Sequence, residues 1–433
     1  MRQFILIWFG QLVSTIGSYM TDFALTLWAW QMTGSATALA LIGFFSQLPR
    51  IFIALFAGII VDRVNRKYLM MLGDAIAACA TVMILILHLT GQLAIWHLYV
   101  AASINGGFGQ IQQLAYSTSI TTLVSPQNYT RANSMNSAVH YGSNIIAPAL
   151  AGVLYPIIGL EGILPIDLVT FIIAINTLLW IRIPQPQETD QQLTQARSEE
   201  EKLGRLKLWW QEITFGIRYI WQRSSLRTLL IITTLFWFAH DLGATIDDTM
   251  ILARSNSNSQ VLSAILSIAG IGGVTGAVVL TAWGGTKRRI DGMLAGFMGA
   301  GIAKTVFGWG QSLNVWLPAQ FFSSINFPLL GSSETALWME IIPPNLQGRV
   351  FAANSLVLEL VSASATLIAG FLSDRFLEPA MQSQSLLNSL FAPIFGTGRG
   401  AGMALLYVFT AIAMFLVGVI GYRLPQLRRL TKQ

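Results

Sequence analysis

Twelve apolar runs, each long enough to cross a bilayer as a helix, decide what this chain can fold into. A spanning helix needs about 20 mostly apolar residues. Six runs cover roughly 4–30, 37–60, 68–89, 95–122, 131–156 and 162–182. Six more cover roughly 226–252, 259–283, 290–310, 314–341, 349–374 and 401–422. They are too long, and alternate too little, to be the strands of a membrane barrel. Composition agrees: 54% of the 433 residues are hydrophobic and 11% are charged, against about 25% charge in an ordinary soluble domain. The expected fold is an all-α membrane protein of twelve spans.

Segment 184–225 separates a six-span half, 1–183, from a second half and basic tail, 226–433. It opens as a polar stretch, PQPQETDQQLTQARSEEEK, and closes as the amphipathic LGRLKLWWQEITFGIRYIWQR. Aromatic residues mixed with Lys and Arg suit a helix lying in the headgroup layer; a partner-binding helix is the other reading. The net charge of +6 is unevenly placed. With even crossings, Arg63, Arg66, Lys67, Arg131, Lys287, Arg288, Arg289, Arg349 and the tail arginines share one face. Arg254, Arg375 and Arg399 lie on the other. The positive-inside rule makes the crowded face cytoplasmic, with both termini on it. The expected location is the plasma (inner) membrane. The basic balance is thus a topology signal, and no nucleic-acid partner is needed to explain it.

The halves repeat. LVSPQNYTRANSMNSAVHYGSNIIAPALAGVL, from Leu123, aligns without a gap on IIPPNLQGRVFAANSLVLELVSASATLIAGFL, from Ile341. Identical pairs include Arg131/Arg349, Asn136/Asn354, Ala147/Ala365, Ala151/Ala369 and Gly152/Gly370. Each copy holds a loop and the span after it, span 5 or span 11. Span 11 comes six spans after span 5, so the repeat is parallel, related by an axis along the membrane normal. A weaker echo pairs Gly17 with Gly243 and Asp22 with Asp248. Two such halves leave a cleft between them, and that geometry supports alternating access.

Between spans 2 and 3 stands GIIVDRVNRK, with Gly58, Asp62, Arg63, Arg66 and Lys67. This string resembles the loop 2–3 signature of the major facilitator superfamily. AGIIVDRVNRKYLMMLGD, QLVSTIGSYMTDFALTLWAWQMTGSATAL and IIPPNLQGRVFAANS look like its secretion-effector and macrolide- or siderophore-efflux exporter branch. The resemblance covers essentially the whole chain. It implies that Asp62 meets the helix N-terminus around Gly348 and Arg349 when the transporter faces outward, since a helix N-terminus favours a carboxylate. It also implies that Arg63, Arg66 and Lys67 hold the loop to acidic groups or lipid phosphates. The equivalent loop between spans 8 and 9 has Leu280 where Asp62 stands, so any second latch is degraded.

Ionisable and polar groups inside spans are expensive and mark function by default. Gln11, Ser18 and Asp22 share one face of span 1. Asp22 is a candidate proton- or substrate-binding carboxylate; the bland alternative is an acid that reaches water at the outer leaflet. Asp248 in span 7, Glu334 in span 10 and Glu359 in span 11 are the other proton-coupling candidates. Trp338 follows Glu334 by one turn, and an acid beside an aromatic surface suits a cationic or amphipathic substrate. A fixed pair with Arg50 or Lys304 is the alternative for Glu359, and Arg50 could pair with Asp74. Span 4 carries Asn105, Gln110, Gln113 and Tyr116, which either line the cavity or hydrogen-bond between helices.

The chain has no G-x-x-x-x-G-K-[ST] phosphate loop, no His/Cys ligand cluster and no G-x-S-x-G elbow. Neither an enzyme, nor a cofactor, nor a metal site is expected. The expected function is a secondary transporter that exports a small amphipathic organic molecule by proton antiport, in contact with membrane lipids. A lysophospholipid transporter between leaflets and a non-transporting scaffold or receptor are the alternatives.

Overall fold

The computed structural model describes residues 2–125, 129–181 and 205–429. Residues 184–204 of the linker lie outside the described residues, as do the side chains of Asp62 and Arg63. Every regular element described is a helix. Spans 1 to 4 are Arg2–Thr33, Ala36–Arg63, Arg66–Leu89 and Ile95–Leu123. Spans 7, 8, 9 and 12 are Ser224–Arg254, Ser259–Trp283, Arg289–Trp309 and Ala401–Arg423. Both chain ends lie on one face, called here the terminal face; the other is the far face.

Four crossings differ from simple rods. Spans 5 and 6 form one helical stretch, Tyr129–Trp180, bent at Gly159, where φ is 62°. The sequence reading separates the two; the backbone instead turns on one glycine, which carries no Cβ penalty at positive φ. Span 10 divides into Leu313–Ser324 and Asn326–Ile341. Pro328 supplies the reason, since its missing N–H leaves the Ser324 carbonyl without a helical donor. Span 11, Pro344–Leu372, continues into a single π-helical turn, Ser373–Leu377. Such turns re-aim side chains and are frequent at functional sites. Among the described residues, nine helical stretches are long and apolar enough to cross a membrane, and Gly142–Trp180 contains two crossings. The polar span 4 and the divided span 10 complete the twelve.

The repeat is visible as packing. Gly152 of span 5 seats Ser263 and the Ser259 carbonyl of span 8. Its counterpart, Gly370 of span 11, seats Thr37, Ala40 and the Ala36 carbonyl of span 2. Ala147, Ala151, Ala365 and Ala369 beside them are fully buried. Small residues let helices of opposite halves approach closely. The weaker echo behaves alike: Gly17 faces Thr170 of span 6, and Gly243 faces Thr410 of span 12.

On the terminal face, Arg66 donates to the Thr118 carbonyl at 2.8 Å. Lys67 donates to the carbonyls of Leu179 and Ile181 at 3.0 and 2.8 Å. These two cations therefore hold the ends of spans 4 and 6. Helix C-termini carry unpaired carbonyls and partial negative charge, which suits a cation. The helix Arg205–Gln222 is not only interfacial. Its Gly216 lies against the Arg349 carbonyl and Ala353 of span 11, and the Arg349 guanidinium sits 5.7 Å from the Phe215 ring centre. Ile220 is buried while Trp221 is exposed, so one side meets protein and the other is free for lipid.

A Cβ at Gly106 of span 4 would overlap the Ser46 carbonyl of span 2. Gly106→Val forces these spans apart, and overpacking of this kind costs roughly 1–3 kcal/mol. The expected outcome is a lowered thermal unfolding midpoint of the purified protein in detergent, with unchanged helix content by circular dichroism.

Candidate functional site

The two halves are joined at the far face by one carboxylate. Asp374, in the π turn after span 11, accepts from the Ser35 hydroxyl at 2.6 Å, the Ala36 amide at 3.1 Å and the Thr37 amide at 2.7 Å. Ser35 is the N-cap of span 2, and its hydroxyl accepts from the Ala38 amide at 3.2 Å. The first amides of span 2 are thus satisfied jointly by its own cap and by an acid of the other half. This is what unpaired helix-start N–H groups favour. Trp30 donates to the Ser257 hydroxyl at 3.2 Å, again across the halves. Three further hydrogen bonds between spans of opposite halves lie at the far face or mid-depth. They join Gln47 to Ser362, Ser259 to the Gly152 carbonyl, and Ser267 to the Ile145 carbonyl. In this conformation the far-face ends are closed on each other.

Beneath this joint lies a cavity of about 350 Å³ between spans 2, 7 and 11, lined by Gly43, Gln47, Asp241, Thr245, Ser362 and Thr366. Glu359 lies one turn from Ser362 and one turn from Ser355 on the same face of span 11. It is exposed, and neither expected cation pairs with it. Lys304 donates to the Tyr407 hydroxyl at 3.1 Å instead. Arg50 is exposed. The expected partner of Arg50 is also occupied otherwise: Asp74 accepts from Gln112 at 2.6 Å and from Gln11 at 3.4 Å. Gln11 therefore braces spans 1, 3 and 4 through Asp74.

A second cavity, of about 310 Å³, lies within the C-terminal half. Glu334 and Trp338 of span 10 both face it, as their spacing of four predicts. Span 7 adds Trp237, and span 11 adds Phe351 and Asn354. The Trp237 indole donates to Glu334 at 3.2 Å. Glu334 and Trp338 are buried, at 8% and 4% exposure. The Trp338 indole N–H and the Asn354 side-chain oxygen are buried without a hydrogen-bond partner. A buried polar atom left unpaired is costly and asks for an explanation. A bound polar molecule supplies one. The result is a carboxylate among three aromatic rings with one donor and one acceptor unused.

The remaining expected residues scatter. Asp22 of span 1 is exposed. Asp248 and Asp247 adjoin on span 7, both half-buried. Ser18 and Gln110 are half-buried, and Asn105 and Gln113 are exposed. Tyr116 sits in the apolar cluster with Ile7, Val61 and Met70, its hydroxyl unpaired. Gly348 and Arg349 are exposed at the start of span 11. Gly58 lies in the helical backbone of span 2. Sequence reasoning missed Asp167 of span 6, which is 1% exposed and accepts from the hydroxyls of Thr21 at 2.9 Å and Thr81 at 3.3 Å. It lies where Gly17 brings span 1 onto span 6. The signal was a lone acid among apolar residues in LPIDLV.

Twelve spans in two repeated halves, closed at one face over polar internal cavities, define a multi-pass membrane transporter of small molecules rather than an enzyme. The profile of the Major Facilitator Superfamily matches residues 7–366, and the chain belongs to that family. Macrolide efflux protein A of Streptococcus pyogenes is 24% identical over 375 residues, covering 86% of this chain and 90% of that protein. The multidrug efflux pump Tap of Mycolicibacterium fortuitum is 22% identical over 433 residues, covering 98% and 96%. Among solved structures, a bacterial homologue of the iron transporter ferroportin in an inward-facing state superposes with a TM-score of 0.68 at 15% identity, covering 98% of each chain. A bacterial homologue of the human lysosomal transporter Spinster, inward-facing and unoccupied, gives 0.64 at 15% identity, covering 99% and 96%. At these identities the structures speak for the fold.

Asp374→Ala leaves the start of span 2 without three of its acceptor contacts. The expected outcome is a loosened far-face joint. A cysteine at Ala253, which lines the far-face recess with Asp374, will react faster with a membrane-impermeant maleimide in that variant than with Asp374 intact. Both proteins carry Cys79→Ala, because Cys79 is itself exposed.

Proposed function

We propose that this chain exports a small amphipathic organic molecule from the cytoplasm across the plasma membrane, in exchange for protons, with both termini cytoplasmic. The terminal face is then the cytoplasmic one and the far face is outside. Residues 1–183 rock against 226–433, with 184–225 as the tether. The observation that carries this reading is the aromatic cavity of Trp237, Glu334, Trp338 and Phe351. Its single carboxylate and ring faces match a molecule with a cationic amine on an apolar body. Its unpaired indole N–H and amide oxygen match a polar substituent on that body. The similarity to macrolide and multidrug efflux proteins supports the same direction and substrate class.

In the outside-closed conformation the Asp374 joint is made and substrate reaches the cavity from the cytoplasm. In the opposite conformation the resemblance in loop 2–3 implies the mirror contact, Asp62 at the start of span 11. Protonation of a carboxylate within the spans, with Asp22, Asp248, Glu334 and Glu359 as the candidates, favours release outside and return.

Everted membrane vesicles containing the chain, acidified inside, test the exchange. Addition of a macrolide such as erythromycin is expected to discharge the pH gradient, and the absence of any macrolide-dependent proton flux contradicts antiport. Glu334→Gln keeps the shape and removes the charge. It is expected to weaken binding of a cationic amphiphile, followed by tryptophan fluorescence, about tenfold or more; one desolvated cation–π or charge contact is worth about 2 kcal/mol. Equal affinity in wild type and Glu334→Gln removes that residue from the site.

A further inference from the structure

Lys304 is a buried cation that the proposed substrate path does not use. It lies about four turns into span 9 and is 6% exposed. Its ammonium has three donors and one partner, the Tyr407 hydroxyl of span 12 at 3.1 Å, with the Tyr407 ring centre 5.1 Å away. Tyr407 is itself fully buried, its ring held by Gly243 of span 7 and Gly308 of span 9. No carboxylate oxygen comes within 4.0 Å of Lys304 among the described residues. Asp247 and Asp241 of span 7 nonetheless lie near enough for their charges to act on it. Asp241 is engaged by His240 at 3.0 Å. One oxygen of Asp247 is buried with no hydrogen-bond partner.

His240 of span 7 also lies near the Lys304 charge, and the Asn326–Ile341 half of span 10, which packs on span 9, carries Glu340 and Glu334, the latter held by the Trp237 indole. Asp248 adjoins Asp247 on span 7, and Tyr407 is the titratable group that span 12 turns toward Lys304. The Leu313–Ser324 half of span 10 has no titratable side chain in its sequence. A buried ammonium on span 9 and a half-buried carboxylate on span 7, one of its oxygens buried and unpaired, held near each other without touching, form an ion pair waiting to be made. Either ion alone is expensive in such surroundings, and the made pair offsets much of that cost. A proton on Asp247 removes its need for a cation and leaves Lys304 to Tyr407, which is the arrangement observed. Loss of that proton restores the attraction and draws span 7 toward span 9.

We propose that Asp247 and Lys304 are the proton-exchange pair of the C-terminal half. The proton moves from water outside onto the Asp247 carboxylate, and later from that carboxyl to water on the cytoplasmic side; Lys304 stays an ammonium and exchanges Asp247 for Tyr407. Asp247 carries the proton, and Lys304 and Tyr407 are positioning residues. This rests on the antiport reading above. The outside-closed conformation, with Lys304 on Tyr407, is the proton-loaded one.

The test uses the full chain with Cys79→Ala and spin labels at Thr33 and Gln382, which flank the far-face joint. The label-to-label distance is followed by double electron–electron resonance between pH 5 and 9. The wild-type residues are expected to give a distance that lengthens as pH rises. Asp247→Asn and Lys304→Met are each expected to abolish that lengthening. Tyr407→Phe keeps both charges and removes the competing acceptor, so it should move the transition to lower pH; it also serves if either charge variant fails to fold. A wild-type pH response retained in all three variants overturns the pair. Macrolide-dependent proton flux with such a retained response discards the pair and keeps antiport. No flux and no pH response in the wild type discards antiport itself.

Discussion

The conformation described here depends on a single arrangement: a carboxylate of one half seated on the helix start of the other. Asp374 takes the Ala36 and Thr37 amides and the Ser35 hydroxyl. Nothing covalent or extensive is needed, because the groups it satisfies are already unpaired by the geometry of a helix end. Charge-assisted bonds of this kind are strong but few. A joint of few strong bonds is what a carrier requires, since it has to hold and then release within each cycle. Below the joint, Gly370 lets span 11 lie directly on span 2, so making or breaking the joint moves whole helices rather than loops.

The repeat makes the asymmetry of this arrangement informative. Spans 2 and 11 are one antiparallel pair across the halves, and spans 5 and 8 are the equivalent other. The first pair has an acid at the end of each helix, Asp62 and Asp374. At the matching positions the second pair has Leu280 and Pro156. Its contacts are instead small and neutral: Gly152 on Ser263, and Gly270 on Ile145. Physical reasoning therefore divides the labour. Spans 2 and 11 carry the acids, with Asp374 making the far-face joint, and spans 5 and 8 supply a close, neutral contact between the halves. Fixing the remaining geometry of the C-terminal half falls to contacts within it. Glu378 accepts from the Gly400 and Gly402 amides at the start of span 12, and Arg254 donates to the carbonyls of Gly308, Gly310 and Phe395.

Much of this was legible in the sequence because bilayer thickness and backbone satisfaction leave so few solutions. Run lengths gave the spans, and the Gly152/Gly370 alignment gave the axis. Glu334 and Trp338 could be joined because a spacing of four fixes a common face. Trp237, Phe351 and Asn354 could not, since nothing in spans 7 and 11 alone says which face meets span 10. A pair of Glu359 with Arg50 or Lys304 stands only as the alternative to a proton-coupling role on charge alone, whereas burial against Tyr407 decides the contact of Lys304. Asp374 was the subtler loss. It sits at the last residue of a predicted span, and only the π turn after Leu372 aims it at span 2. Asp62, the most legible acid of all, has its side chain outside the described residues, so its half of the latch rests on resemblance.

The central claim is that spans 2 and 11 alternate between closure at one end and closure at the other. Two distances measured on the same preparation test it most directly. One spin-label pair, Thr33 with Gln382, reports the far-face ends; another, Val64 with Gly348, reports the terminal-face ends. Across conditions that shift the conformational balance, the account predicts opposite changes, one distance lengthening as the other shortens. Two distances that rise and fall together, or a far-face distance that never changes while transport proceeds, would contradict it.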